Sequence, residues 1–241
     1  MGNFFLERIR LSWYFWIFLV GYTVAALLVP LQTFSSGALA LFSVNSFLYG
    51  FYIAPILGAQ KARVEDLHRV VRSEANAVFS MVLKLKKLPT HLRNELQEMF
   101  VTYLEVCISE KKAGAGEKNY EELLSYCIEY KGAHEEEINK LLDALIANQQ
   151  NRTNFSMQMR NKVFNNEWWI MLVLFGITEL FVLTLSTGPN RSFRIIAALL
   201  CSGLSMLLVI LVKLSTLTHK KAKQVWDPFK KLIDSRFYRI D

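Results

Sequence analysis

Hydrophobic and polar positions along the chain fall into separate blocks. From residue 11 to residue 60 there is no Lys, Arg, Asp or Glu. A hydrocarbon core about 30 Å thick takes about 20 apolar residues of helix, and this block holds two such runs. Residues 11–29 form the first, opening with Trp13, Tyr14 and Trp16 as interfacial aromatics and stopped by Pro30. Residues 31–36 make an uncharged turn, and 37–57 are the second span, with Pro55 near its inner end. The third span is expected over 168–186, behind the interfacial pair Trp168 and Trp169, and the fourth over 195–212. Between them, 187–193 reads as a tight turn containing Gly188 and Pro189.

Outside these blocks the period is also helical. Val64, Leu67, Val71, Ala75, Val78, Val82 and Leu85 recur at three- and four-residue steps, so the second span is expected to run unbroken into a long polar-faced helix that ends at Pro89. A helix over 90–111 carries Leu92, Leu96, Met99, Phe100, Tyr103, Leu104 and Cys107 on one face. The stretch 113–117, with Gly114 and Gly116, is a loop. No strand precedes it and no Gly-Lys-Ser/Thr follows, so it is not a phosphate cradle. Asn119 with Glu122 resembles a capping box, opening a helix to about residue 131. A last helix starts at 134–137, carries Ile138, Leu141, Leu142, Leu145 and Ile146, and turns polar over 148–152. No strand pattern appears. The expectation is an all-α membrane protein: a short N-terminus (1–10), a first hairpin (11–57), a helical domain (58–166), a second hairpin (167–213) and an amphipathic C-terminal segment (214–241).

Composition agrees with that division. At 52% hydrophobic and 20% charged, the chain can only keep both sets in different blocks. The first span is too long and aromatic for a secretory signal, and a second span follows at once, so it is read as retained. The net charge of +7 is concentrated near span ends, which points to lipid headgroups and topology and not to nucleic acid. Arg8, Arg10, Lys61, Arg63, Arg160, Lys162, Lys213, Lys220, Lys221 and Lys223 lie on one side, and only Arg191 and Arg194 on the other. Both termini and residues 58–166 are therefore expected in the cytoplasm, with the sequons at Asn151 and Asn154 facing away from glycosylation. The basic segment 220–239, with Trp226, Phe229, Ile233 and Phe237 at helical spacing, suits an amphipathic helix on the inner leaflet or on the helical domain.

Catalytic patterns are absent. The four histidines are scattered, no Ser-centred elbow occurs, and Cys107, Cys127 and Cys201 show no Cys-x-x-Cys pairing and read as buried small hydrophobes. No enzyme, no cofactor and no metal site is expected.

Several local signatures resemble the bestrophin-like family of four-span, mostly bacterial membrane proteins, distant relatives of bestrophin channels. They are Glu74-Ala75-Asn76-Ala77-Val78, Leu85-Lys86-Lys87-Leu88-Pro89, Leu92-Arg93-Asn94-Glu95-Leu96 ending at Tyr103, the third span from Trp168 to Gly176, and Asp227-Pro228-Phe229. They are similar to the family's Glu-x-x-Ala stretch, its Leu-Pro break, the Arg and Tyr of the next helix, and its closing Pro-Phe. One element departs: Lys213-Leu214-Ser215-Thr216-Leu217 stands where family members carry an acidic Leu-Asp-x-Pro-Phe. The resemblance implies several subunits, five being the expected number, around an axis lined by the second span, in a bacterial inner membrane.

Residues that would carry such a role follow. The second span is the most polar, and Phe42, Asn45, Ser46, Tyr49, Gly50 and Ile53 are its pore-lining candidates, mixing polar groups that hold water with larger ones that gate by dewetting. Ordinary helix packing is the competing explanation for the same residues. Lys61 and Arg63 are expected at the cytoplasmic mouth, drawing anions as rings in an oligomer or meeting lipid headgroups. Glu179 is an intramembrane acid, where ionisation costs at least about 2.5 kcal/mol. Lys213 and Arg194 are each about half a bilayer from it. A packed, hydrogen-bonded carboxyl is therefore expected, with a conduction or proton site as the alternative. The leading function is a homo-oligomeric ion channel or channel-like pore. The alternative is a non-conducting sensor, scaffold or immunity-type protein acting through its cytoplasmic helices, and a transporter using Glu179 is disfavoured by the lack of inverted repeats.

Overall fold

A computed structural model describes residues 9–30, 33–161, 165–185 and 191–235. The chain is all-α, with no strand among the described residues. Its helices are α1 (Leu11–Leu28), α2 (Ser36–Leu85), α3 (Thr90–Glu110), α4 (Glu117–Glu129), α5 (Glu135–Arg160), α6 (Asn165–Thr184), α7 (Arg191–Ser215), α8 (Lys220–Lys223) and α9 (Asp227–Ile233), with a 3-10 turn over Gln224–Trp226 before α9. Four of these, α1, α2, α6 and α7, are long and apolar enough to cross a membrane. Residues 1–62 and 162–222 form one compact unit, and 63–161 with 223–241 form the other.

In the spanning unit each boundary has a local cause. Pro30 biases Val29 to extended backbone (φ −74°, ψ 130°) and α1 stops there. Helix α2 continues through Pro55, as expected of its unbroken apolar and then amphipathic period. Helix α7 begins at Arg191, so the expected turn over 187–193 is shorter than its sequence pattern; residues 187–190 lie outside the described set. At its far end Leu217 turns left-handed (φ 56°), and the amides of Thr218 and His219 both donate to the Lys213 carbonyl. The segment that departs from the family pattern is thus the terminating turn of α7. Within the unit, α7 packs against α1 and α6. Tyr49, Ile53, Met171 and Leu211 form its buried apolar centre.

The extramembrane unit is built around the apolar stripes of α2, α3, α4 and α5. Two expectations are corrected here. The Asn119–Glu122 capping box is not used: α4 opens three residues earlier, with Gly116 at the cap and no side-chain cap bond. Gly116 has φ +69°, and a Cβ there would meet Cys107 Sγ and the Tyr103 ring at 2.8 Å. Only glycine allows the chain to turn this close to α3, and that turn decides where α4 begins. Nor is the C-terminal segment one amphipathic helix. It breaks at the 3-10 turn, and Pro228 opens α9 within its first turn, where a missing N–H costs nothing. Trp226 and Phe229 are buried in this unit, with the Trp226 ring edge-on to Phe155 at 5.5 Å. Of the two expected seats, this segment takes the helical domain. Phe237 lies outside the described residues.

Candidate functional site

The face of α2 expected to line a path is turned inward. Phe42 stacks on Phe181 of α6 (centroids 4.9 Å, 12° between planes), and Phe34 stacks on the same ring at 4.3 Å. Asn45 Nδ2 donates to the Leu174 carbonyl at 3.1 Å and to Thr178 Oγ1 at 2.8 Å. Tyr49 and Ile53 are buried among Met171 and Leu211. Four of the six candidates, Phe42, Asn45, Tyr49 and Ile53, therefore meet α6 or α7 of their own chain, as in the packing alternative; Gly50 alone is exposed. The arrangement has a simple cause. Lipid offers no partner to an amide or hydroxyl, so the polar face of a span turns to the helices that can supply one.

What α2 leaves uncovered is a face of different character. Ala40, Ser43, Val44, Phe47, Gly50, Phe51, Ala54, Pro55 and Gly58 are exposed. Phe47 and Phe51 stack on one another one turn apart (5.9 Å, 19°). Small residues thus alternate with a pair of aromatic rings along the free side.

The two basic residues at the end of the span separate in role. Lys61 is exposed. Arg63 is buried: its Nε donates to the Gln158 carbonyl at 2.7 Å and its Nη2 to the Met159 carbonyl at 3.2 Å. These are carbonyls of the last turn of α5, which lack intrahelical partners. Arg63 therefore caps α5, and it is not the water-facing cation expected at a mouth.

Glu179 is 7% exposed and packed inside the bundle as expected, but neither carboxylate oxygen has a hydrogen-bond partner. The groups of other helices that face the carboxyl are Tyr22 on α1 and Cys201 on α7. The two cations whose distance argued against pairing with it are engaged elsewhere. Arg194 donates to the Ala26 carbonyl at 2.9 Å and caps α1, while Lys213 donates to the Ile9 carbonyl at 2.8 Å and lies over the Tyr14 ring.

The extramembrane unit holds a second polar centre. Glu74 on α2 is buried, accepts a hydrogen bond from the Tyr103 hydroxyl, and lies 3.8 Å from the Arg152 guanidinium. Arg152 also donates to the Tyr103 oxygen, and its guanidinium sits 4.2 Å over the Tyr120 ring and 4.9 Å over that of Tyr103. Tyr120 donates to the Leu145 carbonyl and accepts from Asn148. Burial pushes the Glu74 carboxyl above the usual range, against the pull of the Tyr103 hydrogen bond and the Arg152 charge. Burial works against the Arg152 charge as well, but Tyr103 and Glu74 outweigh it and hold its pKa above the ordinary value. A cavity of about 210 Å³ opens beside these groups, lined also by Gln149, Thr153 and Ser156.

Glu74 and Tyr103 stood in the sequence motifs, whereas Arg152 sat in a stretch read as merely polar. A signal was present: Ile138, Leu141, Leu145, Asn148, Phe155 and Met159 are all buried on α5, and Arg152 lies on the same stripe. The three cysteines are buried and unpaired. No cluster of metal-ligating side chains occurs among the described residues.

A model of the bestrophin-like domain matches residues 38–229. No curated protein and no solved structure matches the chain.

Proposed function

The chain belongs to the bestrophin-like family, and on that premise we propose that it is a homo-oligomeric, ion-conducting pore lined by α2. The family is related to bestrophin channels, and five subunits is the expected number. The observation that carries this reading is the division of α2 into two faces. Its polar face is spent on its own chain's α6, so an axis between subunits is left with the other one. That face offers Ala40, Ser43, Gly50, Ala54 and Gly58 for close approach of neighbouring helices and the Phe47–Phe51 pair as a constriction. A ring of stacked phenyl groups excludes water when narrow and admits a hydrated ion when it widens. Lys61 supplies the exposed charge at the end of the span, and both termini and the extramembrane unit lie in the cytoplasm of a bacterial inner membrane. In this reading the chain catalyses no reaction and its partners are lipid, ions and copies of itself.

Particle size in detergent, followed by planar-bilayer currents from the purified protein, tests the proposal. A ring-sized oligomer whose currents change on Phe47→Ala or Phe51→Ala supports it. A monomer or simple dimer without currents favours the non-conducting sensor or scaffold instead.

A further inference from the structure

The bundle interior holds oxygen atoms that nothing in the chain satisfies. Both carboxylate oxygens of Glu179, the hydroxyl of Tyr49 and the hydroxyl of Ser46 are shielded from solvent and make no hydrogen bond. Tyr49 is 2% exposed and Glu179 is 7% exposed. In a membrane interior such groups are expensive, and unsatisfied ones call for an explanation.

These groups come from different helices and meet at one level. Tyr22 on α1 and Tyr49 on α2 both lie within electrostatic range of Glu179 on α6. Cys201 on α7 faces the same carboxyl, and Ser205, one turn further along α7, shares a 2.6 Å hydrogen bond with Tyr22. The Asn45–Thr178 bond sets the adjacent Ser46 level with Glu179. All four spans therefore contribute to one polar centre. Among the described residues its only acid is Glu179, the other titratable groups facing it are Tyr22, Tyr49 and Cys201, and the cations Arg194 and Lys213 are engaged at the span ends.

We propose that Glu179, with the hydroxyls of Tyr49, Ser46 and the Tyr22–Ser205 pair, forms an intramembrane binding site for a small monovalent metal cation. Three considerations select that ligand. Tyr22 and Cys201 face the carboxyl without closing a hydrogen bond to it, which leaves both of its oxygens free to ligate an ion. Carboxylate and hydroxyl oxygens are hard donors and suit hard cations over thiophilic metals. One carboxylate balances one positive charge, whereas a divalent ion would leave a net charge buried in a low-dielectric bundle. The site lies on the inward face of α2, opposite Phe47 and Phe51, and does not depend on whether the chain conducts.

The test uses the full-length protein in detergent, with sodium chloride exchanged for choline chloride at constant ionic strength, reading radioactive sodium binding and the melting temperature together. Wild type should show a single saturable class of sodium sites and a sodium-dependent rise in melting temperature. Glu179→Gln should lose both while keeping wild-type particle size. Tyr49→Phe and Ser46→Ala should keep the fold and raise the half-saturating concentration, by about tenfold for one lost ligand. They carry the test should Glu179→Gln fail to fold. Absence of saturable sodium binding in wild type overturns the proposal, and so does binding that survives in Glu179→Gln or is unchanged in both hydroxyl variants.

Discussion

The hydroxyl of Tyr103 donates to the buried carboxylate of Glu74, 29 residues earlier in the chain, and so ties α3 to α2 inside the extramembrane unit. Arg152 joins the pair from α5 with its side chain 9% exposed. Breaking such a buried pair from one side leaves an uncompensated group, which costs about 3–5 kcal/mol for a charge and about 1–3 kcal/mol for a hydrogen bond. Arg152→Met should therefore destabilise the unit more than Tyr103→Phe. The double variant Glu74→Gln/Arg152→Met should recover part of the loss. Denaturant titration of the three variants checks the order.

Glu74 also gives the unit a pH dependence. Burial, the largest influence, holds its native pKa above that of the unfolded chain. The folded state then binds the proton more tightly, so the stabilisation is full below the unfolded carboxylate pKa and is lost as pH rises through the native value. Glu74→Gln carries no proton to lose and should flatten the slope. Melting of both proteins from mildly acid to mildly alkaline pH decides it, and equal slopes would refute the assignment.

Arg63 should matter through α5 and not through ion attraction. Arg63→Gln strands the Gln158 and Met159 carbonyls, at a cost of about 1–3 kcal/mol. Amide exchange should quicken in the last turn of α5. Lys61→Gln, at an exposed position, should leave that exchange unchanged.

If α2 faces a subunit axis with its Phe47–Phe51 side, a cysteine placed there should find its counterpart in a neighbour. Oxidation of Phe51→Cys should yield cross-linked dimers on a denaturing gel. Phe42→Cys should not, because that position stacks on Phe181 of its own chain. The reverse pattern would return the axis to the inward face.

The thiols of the extramembrane unit should be inert. Burial pushes Cys107 to about 12 and Cys127 to about 11, which leaves almost no thiolate at neutral pH. Mass spectrometry after alkylation should find both unmodified in the native protein and both labelled after denaturation.

Sequence alone determined the number of spans, the all-α class, the unbroken run of the second span into the long helix of α2 and the break before Thr90. Lipid and water sort residues block by block, and proline acts on its immediate neighbours, so these features are written locally. The family resemblance was also legible, because its motifs are short contiguous stretches. Tertiary structure decided the rest. Helical period says which residues share a face of α2, but it does not say whether that face meets α6 or the outside, so only the structure shows Phe42, Asn45 and Tyr49 meeting neighbours in their own chain. The partners of Arg63 and Arg152 are far away in sequence, and a charged residue looks the same in a string whether it meets water or a buried carbonyl. The start of α4 depended on how closely Gly116 could approach Tyr103. For Glu179 the sequence marked a costly acid in a span, while the surrounding helices decided that Tyr22 and Cys201 would face it.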